Sequence, residues 1–372
     1  MISGSAEDFS KIEKFQELIR NGHSKEDIRE NHFSDDFDEI FSIAKARIEN
    51  AKTQKLPSGF IFNEDDLRFG TNQIVADYRA RRLSCSTIID IGCGIGMQSI
   101  AFAKTCSKVI AIDIDARKIE YAKFNAAHAK VDNIEFHLGD GLAQLAKIAR
   151  CDIIFCDPER PAQEVARRLS SLSPSPVEIV EKATRFTDKF CFELPPQLKE
   201  LPFDCEKEYV SLNHALNRLN VYLGSLKKAE TSAIVLPEEK TLSTLDEENI
   251  FSYASPLKFF YEVDSGVEKA GLKAYIPGNN LFMYDKYLTS EALVRGPFFK
   301  ASYKILAVMP NYRPDIQNAM AKLDCGKLTL HGNVDPDKYW QEKKNFERGL
   351  HGEQALHLFL LGEEAVICEK LG

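Results

Sequence analysis

The chain has 372 residues, 44% hydrophobic and 28% charged, with a formal net charge of −8. That length exceeds one ordinary core and calls for two or three domains, and the composition is that of a globular protein. No run of about 18 uncharged apolar residues offers a membrane span, and the negative balance argues against non-specific coating of nucleic acid.

Residues 1–83 read as a helical amino-terminal region. "DFSKIEKFQELIRN" sets Phe9, Ile12, Phe15 and Leu18–Ile19 at helical spacing, and "FDEIFSIAKARIENAK" repeats the pattern. "KLPSGFIFNEDDLRFG", with Pro57, Gly59 and an Asn-Glu-Asp-Asp cluster, reads as a loop. "TNQIVADYRARRL" reads as a helix capped by Thr71 or Asn72, its arginines on a solvated face.

From Thr87 the pattern changes. Strand candidates "TIIDI", "KVIAID", "IEFHL" and "CDIIFCD" precede "FCFEL", "KEYVSL" and "TSAIVL", with helical stretches between the earlier ones. This order predicts an α/β domain over 84–240, a parallel sheet covered on both faces. "NHALNRLNVYLGSLKKAE" takes no assignment, and "VLPEEKTLSTLDEEN" reads as a linker. Residues 250–372 form a small α+β domain, with strands at "YKILAVM", "GKLTLHG" and "ALHLFLLG" and helices at "DIQNAMAKL" and "PDKYWQEKKNF". Nine cysteines without a Cys-x-x-Cys pair read as buried thiols of a reducing cytoplasm; no metal site is expected. The amino-terminal stretch lacks the order of a secretory signal, so the expected location is cytoplasmic.

The most informative stretch is "TIIDIGCGIGMQSIAFA", where an apolar strand enters a turn with Gly92, Gly94 and Gly96 and then a helix. A dinucleotide turn has the spacing GxGxxG; here it is GxGxG, and Met97 stands where a third glycine or alanine should. Asp90 at the strand end suits a ligand with an ammonium group near the turn, which a nicotinamide dinucleotide lacks. Asp113, ending the second strand, can accept hydrogen bonds from both ribose hydroxyls, and Asp115 reads as a helix cap. Asp140, after a glycine at the third strand's end, suits either the exocyclic amine of adenine or a cap. Asp157 and Pro158 fall at the carboxyl edge of the fourth strand, where open α/β folds place their chemistry.

DxGxGxG, AID, GD and DPxR at these spacings resemble the class I S-adenosylmethionine-dependent methyltransferases. "TNQIVADYRARRL", "SLSPSPVEIV" and "FFYEVDSGVEKAGL…YLTSE…GPFFKASYKILAV" extend the resemblance to methyltransferases with a THUMP-like carboxyl-terminal domain, and "VIAIDID" with its flanks is also similar to trimethylguanosine synthase. The resemblance implies a Rossmann-like seven-stranded sheet and S-adenosylmethionine as cofactor. Asp90, Gly92, Gly94 and Gly96 would hold its methionine part, Asp113 its ribose and Asp140 its adenine. Asp157 would face the acceptor, with Pro158 and Arg160 beside it, and Arg79 or Arg81 could neutralise a carboxylate or phosphate, a solvated helix face being the favoured reading of that run. The implied partner is RNA, transfer RNA or another structured RNA, methylated on a base amino group such as guanine N2. A departure weighs against that acceptor, because amino-methylating enzymes usually carry a second proline and an aromatic residue where Glu159 and Arg160 stand. A small-molecule acceptor, or a binding module without turnover, is the alternative.

In the last domain Lys300, Lys304 and Lys327 with Phe298, Phe299, Tyr303 and Tyr312 are candidates for an RNA groove, although core aromatics between solvated lysines account for them better. Trp340 reads as packed.

Overall fold

In a computed structural model, which describes residues 6–372 apart from 33, 149, 160–167, 199, 279 and 333, five helices precede the first strand. They are α1 (Ala6–Arg20), α2 (Lys25–Asn31), α3 (Phe37–Thr53), α4 (Glu64–Phe69) and α5 (Gln73–Arg82). Ile12 and Phe15 of α1 interlock with Phe37, Ile40 and Ile43 of α3, as the helical period requires. The segment read as a loop contains α4. Its Asn-Glu-Asp-Asp cluster is a helix start: Asn63 Oδ1 accepts from the Asp66 N–H at 2.8 Å, and Asp66 returns a carboxylate to the Asn63 N–H at 3.0 Å. Asn72, and not Thr71, caps α5, accepting from the Ile74 N–H at 2.9 Å.

The chain then alternates through β1 (Thr87–Ile91), α6 (Met97–Ala103), β2 (Lys108–Asp113), α7 (Ala116–His128), β3 (Ile134–Leu138), α8 (Gly141–Leu145), β4 (Ile153–Cys156), α9 (Pro176–Ala183), β5 (Phe190–Leu194), β6 (Cys205–Leu212) and β7 (Ala215–Leu223). The unassigned stretch is therefore β7. The chain divides into two compact units, residues 1–210 with 217–230, and residues 211–216 with 231–372. In the first, the seven strands run in the order β3-β2-β1-β4-β5-β7-β6. β1 to β5 are parallel and β7 is antiparallel to β5. Strand period two sets Ile88, Val109, Phe155, Cys191 and Tyr222 on one face, under Ala76 and Ala80 of α5 and Phe102 of α6. The same parity sets Asp90, Glu193 and Asn220 on that face.

The second unit continues with β8 (Thr231–Leu236) and β9 (Lys240–Ser243), an antiparallel hairpin in the segment read as a linker. It goes on through β10 (Phe259–Val263), α10 (Ser265–Ala270), β11 (Phe282–Tyr284), β12 (Tyr287–Ser290), β13 (Phe299–Pro310), α11 (Arg313–Lys322), β14 (Cys325–Gly332), α12 (Tyr339–Glu347), β15 (Gln354–Leu361) and β16 (Glu364–Leu371). These strands make a seven-stranded sheet, β11-β12-β10-β13-β16-β15-β14. α11 and α12 cover part of it, with Ile316, Met320 and Phe346 packed on Leu328, Leu356 and Ile367.

Candidate active site at the carboxyl edge of the sheet

After β1 the chain turns through Gly92, Gly94 and Gly96, with φ of 78°, 54° and 84°, values that disfavour residues with a Cβ. Gly96 caps α6, and a Cβ there would stand 3.1 Å from Ala122 Cβ, so α7 presses directly on the turn. A Cβ on Gly94 would meet nothing within 4 Å; the outer side of the turn is open. Its N–H donates to Asp113 Oδ2 at 2.8 Å, while Asp113 Oδ1 accepts from the Asp115 N–H at 2.9 Å. Asp113 thus ties the turn to the end of β2, and each oxygen keeps a lone pair for a further donor. Asp115 caps α7, through the Arg117 and Lys118 N–H groups.

Asp140 caps α8, accepting from the Ala143 N–H at 2.8 Å, and is exposed. Beside these two carboxylates, Ile114 and Leu138 leave 75% and 53% of their surface uncovered. Open apolar flanks between a ribose-type acceptor and a carboxylate suit an adenosine, so the residues present fit the adenosyl group that the turn implies. Sequence reading passed over Ile114; its signal was an apolar residue set between Asp113 and Asp115. Asp90 is 1% exposed and accepts from the Ser99 hydroxyl on α6.

The remaining charges gather on the α5–α6 face. The register that pairs Phe155 with Cys191 brings Asp157 level with Glu193, and Glu193 pairs with Asn220 on β7. Arg79 projects from α5 into this row. Its guanidinium is 0% exposed, pairs with Glu193, and donates to Gln98 Oε1 at 2.7 Å and Asn220 Oδ1 at 2.9 Å. Arg82, one turn on, pairs with Glu206 at 2.7 Å and with Glu208. The arginine run read as a solvated face is therefore anchored in the sheet at positions three apart. Arg218 of β7 also pairs with Glu193.

Asp157 keeps part of its surface open, and the loss of water around its carboxyl, reinforced by Glu193, pushes it up to about 8 against the pull of Arg218 and Arg79. Burial likewise raises Asp90 to about 7. Burial acts upward on Glu193 too, but Arg218 and Arg79 outweigh it and hold that carboxylate below its ordinary value, helped by a hydrogen bond with Asp157. Pro158 is buried beside Asp157; Arg160 lies outside the described residues. Sequence reading missed Glu193, Arg218 and Asn220. The only signal was polar residues interrupting "FCFEL" and "NRLNVYL", and the second of these had not been read as a strand.

The amino-terminal helices brace the same edge. Asn125 of α7, 0% exposed, accepts from the Ile61 N–H at 2.7 Å and donates at 3.1 Å to the carbonyls of Ile61 and of Ile95 in the glycine turn. Arg117 pairs with Asp66 at 2.8 Å.

In the second unit the candidate RNA groove does not assemble. Phe298, Phe299 and Tyr303 are buried at 7%, 8% and 1% exposure. Lys327 on β14 lies three strands from Lys304 on β13, about 14 Å by strand spacing. Trp340, read as packed, is instead 68% exposed, with Lys343 Nζ 5.5 Å from its ring centre, and Tyr312 is 59% exposed.

Residues 84–246 match the family model described as "Methyltransferase domain". A solved structure from Porphyromonas gingivalis W83, a candidate methyltransferase, superposes over 100% of this chain and 99% of its own, with a TM-score of 0.77 at 16% identity; the likeness is one of fold. An uncharacterised S-adenosylmethionine-dependent methyltransferase of Mycobacterium tuberculosis is 22% identical over 75% of this chain and 80% of its own. The 23S rRNA (uracil(1939)-C(5))-methyltransferase of Legionella pneumophila is 26% identical over 25% of this chain, and the match spans only 22% of that protein.

Proposed function

Residues 84–246 being a class I S-adenosylmethionine-dependent methyltransferase domain, we propose that the protein methylates RNA, at a base amino group of a transfer RNA or another structured RNA. The observation that carries the chemistry is Asp157, set at the carboxyl edge of β4 level with Glu193, its carbonyl oxygen 3.5 Å from where a Cβ on Gly92 would stand. In this reading an acceptor at the carboxyl edge of the sheet meets the partly open Asp157.

The sulfonium cofactor supplies an activated methyl group for in-line displacement. The chain supplies position and electrostatics. The Gly92–Gly96 turn and Asp113 hold the nucleotide, while Asp157, backed by Glu193, orients an N–H of the acceptor. In its ionised form Asp157 stabilises the positive charge that grows on nitrogen. The methylated nitrogen then loses its proton to water.

RNA as the acceptor is supported by the printed activity of the Legionella relative and by two short matches described as uncharacterised RNA methyltransferases, in Nostoc and Gloeobacter. In the second unit, the THUMP-like one by resemblance, the exposed Trp340 and Tyr312 are the surfaces on which bases would stack.

The test is incubation with methyl-labelled cofactor and total cell RNA, followed by nucleoside analysis. Label in one methylated nucleoside is expected, absent with Asp157→Ala although that variant still binds S-adenosylhomocysteine. Label that appears only in small metabolites would overturn the RNA assignment.

A further inference from the structure

Three carboxyl groups, Asp90, Asp157 and Glu193, share the space under and beside the glycine turn with two guanidinium groups, Arg79 and Arg218. Asp157 and Glu193 are level across β4 and β5, and Glu193 pairs with both arginines. Asp90 stands two residues before Ile91's neighbour Gly92 on β1, on the same face. When ionised, the group is short of one positive charge.

The elements packed around it do not supply the missing positive charge. Asp113 adds one carboxylate from β2. Lys55, which feels Arg218 and Glu193, adds one cation from the segment before α4. Lys118 is matched by Glu159 at 2.7 Å. The Cys93, Cys156 and Cys191 thiols are all pushed up by burial and stay neutral. Arg82, Glu206 and Glu208, joined to Arg79 through Asn220, bring one cation and two carboxylates. A buried excess charge is costly, and such a site takes up either a proton or a cation.

We infer that the Asp157–Glu193 pair is the determinant by which this site distinguishes the cationic cofactor from its neutral product, the sulfonium displacing a proton that the pair otherwise holds. This rests on the reading of the turn as an S-adenosylmethionine site. S-adenosylhomocysteine carries no sulfonium charge and leaves the proton in place. The raised Asp157 carboxyl, about 8, agrees with a proton held there at neutral pH. Each turnover would then discharge the product by a return of that proton from solvent.

The experiment is titration calorimetry of the full chain at pH 7, in buffers of differing ionisation enthalpy, with S-adenosylmethionine and S-adenosylhomocysteine. Wild type is compared with Asp157→Asn and Glu193→Gln, because the amino group of the cofactor titrates in the same range and only the difference between proteins isolates the pair. Wild type should release a substantial fraction of a proton, towards about one, with the sulfonium ligand and none of it with the product. Asp157→Asn should lose that release. It should also lose about tenfold of the preference for the cation, equivalent to one unit of pKa coupling, while still binding S-adenosylhomocysteine. Equal proton counts for the two ligands in wild type, or an unchanged preference in a product-binding Asp157→Asn, would overturn the inference. Binding of neither ligand to wild type would instead overturn the cofactor assignment itself, and the inference with it.

Discussion

Arg79 on α5 and Glu193 on β5, 114 residues apart in sequence, form an ion pair sealed from water, with side chains 0% and 3% exposed. Their mutual attraction offsets a desolvation cost that neither could bear alone. Asn220 and Gln98 accept from three more of the guanidinium's N–H groups. Arg79→Met leaves Glu193 its second cation, Arg218, but takes the donor from Gln98 and Asn220, and should cost about 1–3 kcal/mol of stability, the range for buried polar groups left unsatisfied. Urea unfolding of the variant measures it, and a loss below about 1 kcal/mol would show that the pair is dispensable.

Asn125 is the joint between the amino-terminal helices and the glycine turn, through Ile61 and Ile95. Asn125→Leu fills a similar volume but orphans these backbone groups, at about 1–3 kcal/mol for each one left unsatisfied. Because Ile95 lies in the turn, cofactor affinity should fall together with stability. Calorimetry showing wild-type affinity in a destabilised variant would separate the joint from the turn.

The ligand-free protein should become less stable as pH rises from about 4 to about 8, the interval between the ordinary and the raised carboxyl values. The folded chain holds protons on Asp90 and Asp157, raised to about 7 and about 8, where the unfolded chain, with ordinary values of 3.8, has lost them. Protons bound in excess by the folded state make stability fall with rising pH. His357, lowered from 6.5 to about 4, acts in the opposite sense over the lower part of this window. Cys106 and Lys55, lowered to about 7 and about 8, act in the opposite sense within or above it. The readout is thus the difference between wild type and Asp157→Asn in thermal midpoint against pH. That difference should move in favour of the variant as pH rises; a constant difference would refute the proton on Asp157.

Trp340, two-thirds exposed beside Lys343, contributes little to the core. Trp340→Ala should leave thermal stability within about 0.5 kcal/mol, as for exposed positions generally. It should weaken retention of transfer RNA by about 1–3 kcal/mol, the scale of one base stacked on an aromatic ring. Filter binding at low salt checks this, and undiminished retention would remove Trp340 from the RNA surface.

Much of the sheet was legible because β1 to β5 are short apolar runs at strand period, the first four punctuated by glycine or aspartate at their carboxyl ends. The glycine turn, Asp113 and Asp157 follow from that punctuation alone. The buried charge row was not legible. Glu193, Asn220 and Arg218 look like polar faults in strands, and only the register of β4, β5 and β7 reveals that they lie opposite one another and beneath Arg79. α4 was missed for a related reason: an acidic cluster marks both loops and helix starts, and the reciprocal Asn63–Asp66 bonds that decide between them are local geometry.

The turn from Gly92 to Gly96 is proposed to hold the methionine end of a sulfonium nucleotide, and the most direct measurement is competitive calorimetry with S-adenosylmethionine and NAD. Saturable binding of S-adenosylmethionine is expected, unaffected by NAD and weakened by about 1–3 kcal/mol in Asp113→Ala, the scale for removing a charged hydrogen-bond acceptor. Saturable binding of NAD that S-adenosylmethionine fails to displace, or an Asp113→Ala variant with undiminished affinity, would contradict it.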